Sequence, residues 1–352
     1  MNFEYAYGTV LGAFVGDAAG AVLEFAPRPN QHAVERAMRM PGGGIFRVGA
    51  GQITDDSELA LCLAHALVAT GQARDHEQSR LQSTVADMYC EWLNSRPFDL
   101  GMATRNALSG GLDARADGGS KTTVAAAMIK SSAGSNMQSK ANGALMRITP
   151  LAVWAHQLSQ EQLVQTARAD AQLTHPNQTC QDCNACYCIA IAHLIRHPGD
   201  APGAVKAAET WASTSAVTEV QEWLADSAQP GADSDCQKLI GFVKWGFTYA
   251  FRHLRLQSSY TEAISSILLM GGDTDTNAAI VGGMIGAVHG ASSIPEYMKM
   301  PVLARGINSP GVPRPAFLAT DALPSICQQI YQLAGDSDTS QPQKGSTLTC
   351  SS

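Results

Sequence analysis

Apolar residues recur at intervals of three and four along most of the chain, and β-branched runs with strict alternation are nearly absent. That periodicity predicts helices throughout and an all-α fold. It marks helices over 57–70, 78–94, 151–156 with a continuation from 159, 180–196, 203–214, 236–253 and 260–269. Clusters of Gly, Pro, Ser and Asp predict loops over 41–51, 109–122, 131–143, 198–202, 229–234 and 300–315. Two segments add a stronger pattern. Gly8, Gly12, Gly16 and Gly20 fall four apart, as do Gly282, Gly286 and Gly290. On a helix each set forms one face where another backbone can come close. Glycine inside a helix costs about 1 kcal/mol relative to alanine, so two such helices are expected to be central and tightly packed, with each other as candidate partners.

Composition narrows the class. The 352 residues are 45% hydrophobic and 16% charged, against about 25% charged in typical domains, so most of the chain should fold. No linker interrupts it, and one domain over 1–335 is expected, followed by a polar, aromatic-free tail over 336–352 that reads as disordered. With 24 Lys and Arg against 31 Asp and Glu, the net charge of −7 leaves no basic surface for phosphate neutralisation. Nucleic acid is therefore not expected as a primary partner. The apolar stretch over 10–25 is broken by Asp17 and Glu24, and no basic segment precedes it. Neither a signal peptide nor a membrane span fits, so the expectation is a cytoplasmic protein, monomeric and without a membrane partner. Nine scattered cysteines form no disulfide framework and are expected to be reduced.

The chemistry concentrates in two segments. GQITDDSELALCLAHAL, from Gly51, sets Thr54, Asp55 and Asp56 immediately before an amphipathic helix. Such residues are also ordinary helix caps, with Asp55 and Glu58 at capping-box spacing, and the two readings stand level. GGDTDTNAAIVGG, from Gly271, presents Asp273, Asp275 and Thr276 at another helix start. Its D-x-D-x-N core fails as an EF-hand, because the sixth loop position is Ala278 and the twelfth is Met284. Four carboxylates brought together would repel one another unless cations neutralise them. Asp and Thr oxygens are hard donors that favour Mg²⁺, Mn²⁺ or Ca²⁺ over zinc. Four aspartates suit two ions, which could orient substrate hydroxyls and an attacking water.

Taken together, GDAAGAVLEF at Gly16, GQITDDSE at Gly51, NGALMRITPLA at Asn142, LTHP at Leu173 and GGDTDTNAA at Gly271 closely resemble the ADP-ribosylglycohydrolase family, including its arginine-specific, dinitrogenase reductase-activating branch. The likeness runs from about Tyr7 to Tyr297. It implies a compact, orthogonal multi-helix bundle with a dinuclear Mg²⁺ or Mn²⁺ site at the base of a cleft for ADP-ribose. It implies that Thr54, Asp55, Asp56, Asp273, Asp275 and Thr276 bind the metals. Glu24 matches a glutamate on the family's mobile flap, and Asp99 an acid near the reacting ribose. Glu24, Asp56 and Asp99 are thus the candidate catalytic residues.

The rest of the pocket is read more loosely. Asn142, Gly143 and Met146 lie where backbone N–H groups entering a helix could hold a pyrophosphate. Arg147 could pair with phosphate or form a structural ion pair. By resemblance His175 lies near the phosphates and Phe242 stacks on adenine, although an aromatic at helical spacing is more often core. Cys180, Cys183, Cys186 and Cys188 have ligand-like spacing, but a straight helix would spread them too widely for one centre. The implied activity is release of ADP-ribose from a modified protein, with arginine as the expected linkage. A serine-type O-linkage, a free ADP-ribosyl nucleotide as substrate, and a non-catalytic ADP-ribose binder are the alternatives.

Overall fold

The computed structural model describes residues 2–75, 77–229 and 235–335; the expected tail over 336–352 lies outside them. Among the described residues there are sixteen α-helices and no strand, the only β pairing being two isolated bridges. In chain order the helices are α1 (Phe3–Gly20), α2 (Gln31–Ala37), α3 (Asp55–Thr70), α4 (Gln78–Asn94), α5 (Met102–Ala116) and α6 (Lys121–Ser135). There follow α7 (Thr149–Trp154), α8 (Gln160–Gln172), α9 (Gln178–Arg196), α10 (Ala201–Ser215) and α11 (Thr218–Asp226). The chain closes with α12 (Val243–Leu256), α13 (Tyr260–Leu269), α14 (Thr274–His289), α15 (Glu296–Leu303) and α16 (Leu323–Leu333). None of these helices is long and apolar enough to cross a membrane.

The glycine stripes explain the centre. α1 and α14 pack along their whole lengths, and both are buried on nearly every side. A Cβ at Gly12 would collide with the Gly282 carbonyl, one at Gly16 with the Ala278 carbonyl, and one at Gly20 with the Asp275 backbone. Tyr260 on α13 donates to the Gly12 carbonyl at 2.6 Å and Thr274 to the Gly20 carbonyl at 2.9 Å, so carbonyls uncovered by the missing side chains are satisfied. α3, α9, α12 and α13 pack against this pair, further helices pack outside these, and together they bury one continuous apolar cluster.

Several expected boundaries move, each for a packing reason. The expected loops over 109–122 and 131–143 are largely helical, with α5 running to Ala116 and α6 to Ser135. Gly110 and Gly111 are contact glycines there, since their Cβ atoms would press on Ser131, Cys90 and Met128. The expected helix over 236–253 begins only at Val243. Residues before it form turns, and the Cys236 carbonyl lies against Gly272, where a side chain would clash. α15 runs through Pro301 to Leu303, inside the expected 300–315 loop. Helices α2 and α11 give little periodicity because they bury only two and three residues, whereas α16 buries Leu323, Ile326, Cys327, Ile330 and Tyr331, a helical spacing the sequence does carry.

Replacing Gly12 with alanine should therefore destabilise the protein by about 3 kcal/mol, since backbone, which cannot yield, occupies the space. Gly134→Ala is the control: it sits in open space near the end of α6 and should be neutral or gain up to about 1 kcal/mol. Thermal melts of the two variants check both outcomes.

Candidate active site

The acids at the start of α3 do not cap it. Thr54 is the N-cap residue and makes no side-chain capping bond. Its hydroxyl instead lies 2.9 Å from Asp17 Oδ1 and 2.8 Å from Asp56 Oδ2. The free N–H groups of this helix end are taken by Asp17, on another helix: its carboxylate accepts from Thr54 N at 3.1 Å and Ser57 N at 3.2 Å. Glu58, the partner expected for a capping box, points away to Trp92 and Arg314. Asp55 and Asp56 are thus left facing inward, 8% and 0% exposed.

α14 repeats the arrangement. Asp273 is its N-cap and also makes no capping bond; its Oδ2 accepts from the Asn142 amide at 2.8 Å. Gly271 and Gly272, both with positive φ, make the turn that delivers Asp273 and Asp275. Asp275 is 1% exposed and accepts from the Thr276 N–H at 2.9 Å. The α1–α14 contact then brings the three helices to one point. Carboxylate oxygens of Asp17, Asp56 and Asp275 lie within 4.8 Å of one another, as do those of Glu24, Asp99 and Asp275. Asp275 belongs to both groups. Asp99 thus faces Glu24 and Asp275 and lines the same cleft as Asp55.

Burial and mutual repulsion shift these groups together. Burial pushes Asp17 up to about 7. Burial, then Asp99 and Asp273, push Glu24 up to about 9. Asp99 rises to about 6 through burial and Asp273. Asp55, Asp56 and Asp275 are all raised well above the usual carboxylate range, chiefly by burial and then by their neighbours. Asp56 Oδ1 and Glu24 Oε2 are buried without a hydrogen-bond partner. An all-oxygen donor set with orphaned carboxylate oxygens fits hard divalent cations.

A cleft of about 450 Å³ opens over this cluster. Glu24, Asp55, Asp99, Asp273, Asp275 and Thr276 line its floor and sides, with Asn142, Gly143, Met146 and His175 along a wall. Thr54 and Asp56 lie behind that lining, fully buried. His175 is kept neutral, its pKa lowered to about 3 by burial and then by Arg147. Its Nδ1 is 2.8 Å from the Thr174 hydroxyl, and a Cβ at Gly143 would crowd its ring, 2.8 Å from Cε1. Residues 143–147 form turns that lead into α7, which starts at Thr149, two residues before the expected 151.

Other expected residues lie elsewhere. Arg147 is fully buried, pairs with Asp170 at 3.2 Å and stacks over Tyr89, so its charge is committed to a structural pair. The Phe242 ring packs edge-on against Trp223 and Trp245; Ile240 and Gly241 face the cleft at that edge instead. Cys180, Cys183, Cys186 and Cys188 are buried free thiols along α9. Asp17 was not singled out from the sequence. Its signal was a fully buried acid in the last turn of α1, among Gly, Ala, Val and Phe.

This geometry meets a known family. The ADP-ribosylglycohydrolase family model matches residues 2–339, and the chain belongs to that family of enzymes. It is 29% identical over 302 residues to the ADP-ribosylarginine hydrolase Tri1 of Pseudomonas putida (strain GB-1), covering 83% of this chain and 72% of that protein. It is 28% identical over 298 residues to the ADP-ribosyl-[dinitrogen reductase] glycohydrolase of Rhodospirillum rubrum, covering 83% and 88%. A solved structure described as an ADP-ribosylglycohydrolase-related protein complex shares the fold, with a TM-score of 0.71 at 22% identity over 95% of this chain and 99% of that one.

The shifted acids predict an unusual stability profile for chelator-treated protein. Carboxyls whose folded pKa is raised bind more protons folded than unfolded, so their stabilisation is lost as pH rises through the folded value. Asp17, raised from 3.8 to about 7, and Glu24, raised from 4.5 to about 9, begin to lose it near pH 4, and the loss is complete only by about pH 9. Burial lowers His175 from 6.5 to about 3 and His253 from 6.5 to about 4, so their opposing gain in stability ends near pH 6.5, and from there to about pH 9 the fall is unopposed. With EDTA present the melting midpoint should fall across that range, and Mg²⁺ or Mn²⁺ at the alkaline end should restore it. A midpoint indifferent to both pH and cation contradicts the reading.

Proposed function

We propose that this protein hydrolyses the ribosyl bond joining ADP-ribose to an arginine side chain of a modified protein, with two divalent cations, Mg²⁺ or Mn²⁺, as cofactors. One observation carries the reading: acids from widely separated segments meet at Asp275, at the floor of a cleft whose volume suits a nucleotide-sized ligand. The names of the Pseudomonas and Rhodospirillum relatives support an ADP-ribosylated protein as substrate, and the first supports arginine.

The residues have separable tasks. Thr54, Asp55, Asp56, Asp273, Asp275 and Thr276, joined by Asp17, would hold the cations, which supply Lewis acidity to the ribose hydroxyls and to water. Cleavage develops positive charge at the anomeric carbon, and the carboxylates of Asp55 and Asp99 beside it offset that charge. Glu24, whose carboxyl is held toward its protonated form by burial and then by Asp99 and Asp273 in the metal-free protein, would deliver a proton to the leaving guanidine nitrogen, while Asp56, with cations bound, would accept a proton from the attacking water. Neutral His175 and the wall formed by Asn142, Gly143 and Met146 face the diphosphate.

The test is incubation of the purified protein with Mg²⁺ or Mn²⁺ and peptides carrying ADP-ribose on Arg, Ser or Glu, alongside free ADP-ribosyl nucleotides. Release from the arginine peptide is expected. Release only from serine or from the free nucleotide reassigns the substrate, and binding without release makes the protein a carrier. Asp56→Ala and Asp273→Ala should each lower turnover by about 10²-fold or more with the helical circular dichroism signal retained. Near-normal turnover in either variant contradicts the metal mechanism.

A further inference from the structure

Arg314 takes part in none of the chemistry above, yet its guanidinium ties together two segments that supply the acids. It lies between Pro313 and Pro315 in the loop after α15, where both prolines restrict the backbone. Nε donates to Glu58 Oε1 at 2.7 Å and Nη2 to Glu58 Oε2 at 2.8 Å. Nη2 also reaches the Ser95 hydroxyl at 2.8 Å, and Nη1 the carbonyls of Ser95 and Arg96 at 3.2 and 3.3 Å. The ion pair is enclosed, with side-chain exposures of 10% for Arg314 and 1% for Glu58. Glu58 Oε2 accepts in addition from Trp92 Nε1 at 2.7 Å.

The two ends of this clamp matter because of what lies next to them. Glu58 sits one turn inside α3, two residues past Asp56. Ser95 caps α4, and Arg96 is held at a φ of 56°, a left-handed conformation rare outside glycine. Three residues further on is Asp99, whose carboxylate lies within 4.8 Å of those of Glu24 and Asp275 and lines the same cleft as Asp55. Asp55 and Asp99 come from segments that reach the cluster by separate routes, and the guanidinium fork bridges their supports from behind. A planar five-donor group serves both a carboxylate and a pair of carbonyls, which an ammonium cannot do.

We propose that Arg314 is a positioning residue: it fixes the strained 95–96 turn against Glu58 and so sets where Asp99 stands relative to Asp55 and Asp56. Its kinetic consequence rests on the proposed hydrolysis, whereas its conformational consequence does not. Small misplacements of an acid at a reacting centre cost rate more than binding, so loss of the fork should appear in kcat before KM.

Two variants separate positioning from simple charge neutralisation. Arg314→Lys keeps a positive charge opposite Glu58 but cannot reach both carbonyls. The double variant Glu58→Gln with Arg314→Met removes the buried charges together, so it leaves no unpaired ion to unfold the protein. Hydrogen exchange, melting midpoints and steady-state kinetics on the arginine-linked substrate are measured for both. The expected result is a melting midpoint near that of wild type for the double variant. Amides of residues 96 and 98–101 should exchange about 10-fold faster in both variants, and kcat should fall about 10-fold or more with KM within about twofold. Unchanged exchange at those amides, or full kcat in Arg314→Lys, overturns the positioning role. A wild-type protein inert on every ADP-ribosyl substrate overturns the proposed function alone, because the exchange result still decides what Arg314 does.

Discussion

The structure depends on a backbone-to-backbone contact. α1 and α14 approach so closely that only the absence of Cβ atoms at Gly8, Gly12, Gly16 and Gly20 on one side and at Gly282 and Gly286 on the other permits it. That contact brings Asp17 on α1 beside Asp275 on α14. Asp17 in turn ties down the N-terminus of α3 by accepting from its free N–H groups. A core motif and the carboxylate cluster are therefore one device: spacing glycines every fourth residue places an acid of one helix against the helix starts of two others.

The electrostatic consequence is concentrated. Asp17, Glu24, Asp55, Asp56, Asp99, Asp273 and Asp275 surround the cleft floor, and the remaining 24 acids of the sequence equal its 24 lysines and arginines. The formal net charge of −7 thus equals the number of acids gathered at the cleft, a charge they carry in full only where cations offset it. Gathering such charge in a buried place is unfavourable unless protons or cations share it. The raised pKa values of the cluster and the unpaired oxygens of Asp56 and Glu24 express that cost. A scaffold would gain nothing from it, whereas a site that uses divalent ions to grip hydroxyls requires it.

Much of this was legible in the sequence, unevenly. Helical periodicity and the glycine stripes gave the fold class and the central pair, because both signals are local and repeat. Residues at helix starts were ambiguous: Thr54, Asp55 and Asp56 read equally as caps, and only the tertiary contact with Asp17 shows the helix end satisfied from elsewhere. Asp17 escaped notice because nothing in its neighbours announces that α1 ends beside α3. Gly110 and Gly111 misled toward a loop, since glycine that admits a packed neighbour looks in sequence like glycine that permits a turn. Phe242 lies where resemblance put it along the chain, but its ring is engaged by Trp223 and Trp245, and Ile240 takes the exposed position. The Arg314 clamp spans more than two hundred residues and left no sequence signal.

The central claim is that the glycine-packed helices hold their aspartates together for a pair of divalent ions. Anomalous scattering from crystals of the protein grown with Mn²⁺ tests it directly. The account predicts two manganese peaks among Asp17, Asp56, Asp273 and Asp275, both lost in Asp275→Asn with the helices unmoved. A cluster without manganese in the wild-type crystals, or peaks that survive that substitution, would contradict it.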